Sequence, residues 1–294
     1  MRYSVLYIAI AALLISCKRE IQINMDNKPP LLVVDGGLST DSLMSLRLSL
    51  TQNVTDNSGP NWVSDAIIEV FNPDTQILDV MNHQTEGQYK SVIKPVADKS
   101  YLFKLTHKGK TYWVNEHVPD TLDCLIQDTS RIIFQGRQNF FQIKLKVDDP
   151  SFINNFYGLR IKRNFKKIEG NDTVQLSEWV KLETIDFILT EDPQSRFSNQ
   201  HIMFSDRYFN GLSQFLEFGV SGLFNQSDQI TSSLELFVSS YSKSAYEYYS
   251  SINEHIFYQN DPFSQPTLVR GNIAGAFGGI VSEYKVKFLI EFHN

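Results

Sequence analysis

Phe141-Gln142-Ile143-Lys144-Leu145-Lys146-Val147 alternates apolar and polar residues without a break until Asp148-Asp149-Pro150 ends it. Successive side chains of a strand point to opposite faces, so this run predicts a strand with one face buried and the other wet. The rhythm recurs at Leu46 to Leu50, Tyr101 to Leu105, Tyr157 to Lys162, Leu234 to Val238 and Tyr284 to Phe292. Shorter strand signals lie at Leu31 to Val34, Ala66 to Val70, Lys90 to Ile93, Thr111 to Val114 and Ile132 to Phe134, bounded by Gly, Asn, Asp or Pro. About seven short strands in roughly the first hundred folded residues predict an immunoglobulin-like or transthyretin-like β-sandwich. The expected fold is mainly β: that sandwich over 31–122, then a β-rich domain over 123–294 with one covering helix near 242–258. Ser242 is the expected N-cap, with Ala245, Tyr249, Ile252 and Ile256 at helical spacing, and the helix is expected to cover an open end of the sheet.

A chain of 294 residues with 42% hydrophobic content can bury sizeable cores. The formal net charge of -6 speaks against a nucleic-acid partner, which calls for a basic face. Two cysteines exclude a disulfide scaffold and a multi-cysteine zinc or iron–sulfur site.

The N-terminus has the layout of a secretory signal: Arg2, an apolar run from Val5 to Ile15, then Ser16-Cys17. The run is too short to span a bilayer. Leu14-Ile15-Ser16-Cys17 resembles a bacterial lipoprotein signal, so 1–16 is expected to be cleaved, Cys17 to be the lipid attachment, and 17–30, closing on Pro29-Pro30, to be a tether. Cys124 then becomes the remaining thiol. Asp123 and its apolar neighbours would raise its pKa, so it is expected to be buried and inert.

No residue set reads as catalytic, as a metal site or as a cofactor site. The histidines at 83, 107, 117, 201, 255 and 293 include no i, i+4 pair of the kind a helical zinc site uses. Asp148-Asp149 and Glu191-Asp192 are each followed by Pro and read as turns more than as an acid–base pair. There is no Gly-x-Ser-x-Gly elbow. A hydrolase would require His201 or His255 to meet Asp206 or Glu254 in one cleft. Gly271 to Gly279 lacks the residues of a phosphate or dinucleotide loop and reads as close strand approach, and Asp56-Asn57-Ser58-Gly59 reads as a turn before a calcium loop. Arg160, Lys162, Arg163, Lys166 and Lys167 form a basic cluster, read as the solvated face of an edge strand or a contact for anions. Asp206-Arg207-Tyr208-Phe209-Asn210-Gly211 is the candidate interaction motif, with a structural corner as the alternative reading. Asp41-Ser42-Leu43, Asp120-Thr121-Leu122 and Asp172-Thr173-Val174 resemble a short O-glycosylation acceptor pattern of Bacteroidetes.

Several motifs in order resemble one family. They are Leu32-Val33-Val34-Asp35-Gly36, Asp65-Ala66-Ile67-Ile68, Gly87-Gln88-Tyr89 and Tyr101-Leu102-Phe103 with Gly109-Lys110-Thr111-Tyr112 in the first half. In the second half they are Asp206 to Gly211, Ala245-Tyr246-Glu247-Tyr248-Tyr249, Asp261-Pro262-Phe263 and Asn272 to Gly279. The order resembles the Bacteroidetes outer-membrane lipoproteins grouped as domain of unknown function 4249, with Cys124 as a departure. The resemblance implies a lipid-anchored protein at the outer membrane, on its periplasmic or outer face, associated with a TonB-dependent receptor and with no established enzymatic activity. The expected function is therefore a non-catalytic binding or accessory subunit in substrate capture. A surface adhesin or glycan-binding or envelope structural protein is the alternative, and a hydrolase the third reading.

Overall fold

The structure, a computed structural model, describes residues 29–292 except 54, 55, 57, 135, 152, 171, 185, 193, 195–197, 225–228, 260, 262 and 266, and within strands omits the side chains of 134 and 137–139. The signal segment, Cys17 and all of the tether before Pro29 lie outside the described residues.

The first part of the chain forms β1 (Leu32–Ser39), β2 (Ser45–Leu50), β3 (Asn61–Trp62), β4 (Ile67–Phe71), β5 (Ile77–Val80), β6 (Asn82–His83), β7 (Gln88–Lys90), β8 (Ser100–His107) and β9 (Lys110–His117). It continues through β10 (Asp123–Phe134), β11 (Arg137–Asp148), β12 (Phe156–Glu169), β13 (Asp172–Val180) and β14 (Glu183–Thr184). Helix α1 (Phe187–Glu191), β15 (Ile202–Ser205), β16 (Ser213–Val220), β17 (Gln229–Tyr241), helix α2 (Lys243–Tyr258) and β18 (Phe277–Glu291) complete it.

These strands make three sheets. One of ten strands runs β13-β12-β17-β18-β1-β2-β7-β6, with β15 on β12 and β3 on β2; two of four run β10-β11-β16-β14 and β5-β4-β8-β9. Each small sheet packs across one half of the large one. Val34, Leu46, Leu48 and Tyr89 of the large sheet meet Ile68, Val70, Phe103 and Leu105 in one hydrophobic cluster. Tyr157, Leu159, Ile161, Leu234, Leu236 and Val238 meet Ile143, Leu145, Leu216 and Phe218 in another. The chain is thus mainly β and built as two sandwiches. The apolar positions of each alternating run supply the buried faces, as period two requires. The cluster changes near residues 118–122, yet 31–294 is one compact unit because the large sheet is shared.

β18 is the element that joins the halves. Its first residues pair in parallel with β1, Val33 facing Phe277 through Ser39 facing Glu283, and its later residues pair antiparallel with β17, Tyr241 facing Glu283 through Ser233 facing Glu291. Close approach at its start demands glycine: Gly278 has φ +78°, and a Cβ there would lie 2.0 Å from the Val34 carbonyl oxygen.

α2 begins where expected, with Ser242 accepting from the Ala245 backbone N–H at 3.1 Å. It lies on the outer face of the large sheet, where Ala245 and Tyr248 bury Met203, Tyr241 and Val281, and not across an open sheet end. Ile256, placed on the apolar stripe by spacing, is 53% exposed. The basic cluster also differs from expectation. β12 is flanked by β13 and β17, so the strand carrying Arg160 to Lys167 is interior and β13 is the edge. Alternation sends Arg163 inward, where its guanidinium bonds Thr231, Glu178 and Gln229 at 2.8–3.1 Å.

Candidate functional site

The Asp206 to Gly211 motif follows β15 directly, and its side chains are mostly committed to holding a corner. The Asp206 carboxylate accepts from the Asn155 backbone N–H (2.8 Å) and the Asn210 amide (3.1 Å), and burial pushes its pKa up. Phe209 is buried beside Tyr157 and Phe204. Asn210 also donates to the Ile153 carbonyl (2.8 Å), and Gly211, at φ +75°, donates its N–H to Asp149 (2.8 Å). Arg207 bonds the Glu191 carbonyl (2.8 Å) and the Tyr208 hydroxyl (2.6 Å). What the motif presents outward is Tyr208, 43% exposed, whose ring meets the 62% exposed Phe187 at 5.1 Å between centroids.

The acidic pairs are absorbed in the same way. Asp149 accepts from Tyr157 and Gly211, and Asp148 accepts from Lys146 and Ser213. Asp192 accepts from Ser205, Gln194 and Tyr246. β15 stands between His201 and Asp206, while the His255 ring meets the Thr267 carbonyl at 3.2 Å. Among the described residues, neither histidine forms a hydrogen bond or ion pair with Asp206 or Glu254, and no group of three His, Cys, Asp or Glu side chains is arranged to hold a metal. Asp56 accepts from the Ser58 N–H, as in a plain turn. Ser42, Thr121 and Thr173 are all exposed. Cys124 is half-buried rather than buried as expected and carries no disulfide; its partial burial, followed by Asp123, pushes its thiol up to about 12.

A solvent-open cleft of about 530 Å³ lies at the seam of the two sandwiches, walled by Asp98, His117, Asp148, Phe156, Tyr157 and Lys243. At its floor Glu116 is buried and accepts from four side chains. Ser242 (2.5 Å) and Ser282 (2.7 Å) reach Oε1, Ser244 reaches both oxygens at 2.7 Å, and Asn272 reaches Oε2 at 3.2 Å. Burial raises its pKa while those hydrogen bonds pull it down. This one carboxylate ties β9 to the start of α2 and to β18. It has a sequence signal: Tyr112, Val114, Glu116 and Val118 share one period-two face, so a carboxylate falls in a core register.

A second cavity of about 440 Å³ opens on the outer face of the large sheet beneath α2. Arg160 of β12, Ser198 and His201 before β15, and Tyr249, Asn253 and Ile256 of α2 line it. The Arg160 guanidinium lies 3.8 Å from the ring centre of Trp179, and His201 Nε2 is 2.8 Å from the Tyr241 hydroxyl. Burial, reinforced by the charge of Arg160, holds His201 down to about 3, so it is neutral at physiological pH.

Fold and site together define a mainly β double-sandwich protein with a solvent-open cleft at its seam. The chain belongs to the family described as Domain of unknown function (DUF4249), which it matches over residues 18–286. No curated protein matches its sequence. Among solved structures, a Salmonella alpha-2-macroglobulin mutant aligns with 95% of this chain at 10% identity and a TM-score of 0.21. This chain covers 16% of that one.

Proposed function

We propose that the protein is an outer-membrane lipoprotein that works by binding, as a non-catalytic accessory subunit of a TonB-dependent receptor in substrate capture. The cleft of about 530 Å³ at the sandwich seam carries this reading, because it offers a polar and apolar wall wide enough for a ligand or a partner's loop. The lipoprotein-type Ser16-Cys17 and the polar stretch before Leu31 support it: a lipid and a tether would hold the cleft near a membrane while allowing it to move.

Native co-purification tests the proposal. A C-terminally tagged chain is extracted from membranes in mild detergent and the bound material identified. A stoichiometric β-barrel receptor is the expected result, and Asn154→Trp, which crowds the cleft wall, is expected to weaken its retention. A lone lipoprotein, together with unchanged nutrient uptake on deletion, would overturn it.

The exposed Phe187–Tyr208 pair favours a second reading, a glycan-binding surface protein, since aromatic faces stack on sugars. Whole-cell glycan binding that is lost in Tyr208→Ala would select that reading over the first.

A further inference from the structure

The cavity beneath α2 is distinct from the seam cleft and has the chemistry of a recognition site for a negative charge. Among the described residues that line it there is one cation, Arg160, which makes no ion pair and no hydrogen bond to any described residue, and whose Nε is shielded from solvent without a partner. A ligand in the cavity would meet the terminal nitrogens of the guanidinium, since the Nε is shielded from solvent. The charge is held in place. The ring of Trp179 supports one face of the guanidinium, and Trp179 is itself fixed by Gln200, whose amide donates to its carbonyl at 3.2 Å, and by Phe237 at 5.4 Å between ring centres.

Among the described residues none pairs with it, although Glu283 and Asp35 are near enough to add to the burial that raises the pKa of the lining Tyr249. Among the described residues no carboxylate lines the cavity. The nearby Glu283 is engaged by Lys285 at 2.6 Å and by Ser239 at 2.9 Å. His201 is neutral and engaged with Tyr241, so it adds polarity without a second positive charge. Ser198 accepts from the His201 backbone N–H, which leaves its hydroxyl hydrogen to donate. The amide of Asn253 has only a long contact with the Met203 sulfur at 3.8 Å. Tyr249 and Ile256 add an apolar wall.

We propose that this cavity binds a small organic carboxylate of about monosaccharide size, with the fork of Arg160 on the carboxylate and Ser198 and Asn253 on neighbouring oxygens. One cation of fork geometry suits a carboxylate monoanion. A phosphate dianion normally draws on several cations or on a row of backbone N–H groups. The proposal does not depend on receptor partnership, since the cavity lies on the outer face of the sheet and the cleft lies at the seam.

Isothermal titration of the full chain with glucuronate, succinate, glucose and inorganic phosphate tests it. Glucuronate is expected to bind at least about tenfold more tightly than glucose or phosphate, and succinate to show whether a plain acid suffices. Arg160→Gln is expected to weaken glucuronate about tenfold or more, Asn253→Leu to weaken it less, and Lys110→Gln, at an exposed position of β9, to leave it unchanged. Circular dichroism of each variant separates lost binding from lost folding, and Asn253→Leu carries the test if Arg160→Gln does not fold. Failure of both acids to bind, phosphate binding as tightly as glucuronate, or full affinity in Arg160→Gln would each overturn the proposal.

Discussion

His201 carries a proton balance that differs between the folded and unfolded chain. With its folded pKa held down to about 3, it stays neutral where an unfolded histidine, near about 6.5, is already protonated. The unfolded state therefore binds the extra proton below about pH 6.5, and this contribution to stability is lost progressively as the pH falls towards about 3. Denaturant unfolding at about pH 4.5 is expected to show a loss of about 2 kcal/mol from this group relative to neutral pH. His201→Phe should flatten that part of the pH slope even though it also costs the Tyr241 hydrogen bond. An unchanged slope would mean that the ring is more accessible than its packing against Tyr241 and Tyr249 implies. Cys124 gives a second check at this scale. In a Cys17→Ser chain, a thiol reagent is expected to react with Cys124 at least about tenfold more slowly in native buffer than in denaturant, because both its burial and Asp123 disfavour the thiolate.

At the scale of elements, β18 and the start of α2 are the joints. Gly278→Ala places a Cβ against the Val34 carbonyl at a positive φ, so a loss of about 3 kcal/mol in unfolding free energy is expected, read as a lower denaturant midpoint. Glu116→Ala leaves three hydroxyls and an amide to find new partners and is also expected to cost about 3 kcal/mol. Ser242→Ala, which removes an N-cap and one of those bonds, should cost about 1 kcal/mol.

These joints also mark how far the sequence could be read. Phe141 to Val147 shows buried and half-buried positions in strict turn, as its alternation predicted, and Ser242 caps the helix that its neighbours predicted. β13 gave no signal because an edge strand exposed on both faces needs no apolar alternation. α1 is five residues long, less than two turns, and too short for a period to register. The parallel pairing of β1 with β18 is a tertiary fact with no local trace. The Arg160 cavity was hidden for the same reason, since β12, the segment before β15 and α2 reach it from three separate stretches of chain. For the Asp206 motif, the residue types correctly marked a special place. They left open whether Arg207 and Tyr208 face a partner or, as the hydrogen bonds now show for Arg207, each other and the backbone.

For the whole molecule, a sheet shared by two sandwiches predicts one cooperative unfolding transition. Trp62 and Trp113 report on the first sandwich and Trp179 on the second, so variants retaining tryptophan in only one half should give coincident midpoints. Two separated midpoints would show that the β1–β18 pairing is too weak to couple the halves. The position of that pairing has a kinetic consequence. β1 cannot complete its side of the sheet until a strand from nearly the far end of the described chain arrives, because Val33 lies opposite Phe277. Loop closure on that scale is slow, and every intermediate before it leaves the β1 edge open to pairing with another molecule. The chain thus spends its synthesis waiting for β18, during which a holding chaperone would have an exposed strand to grip and an interrupted translation would yield a product with neither half properly closed.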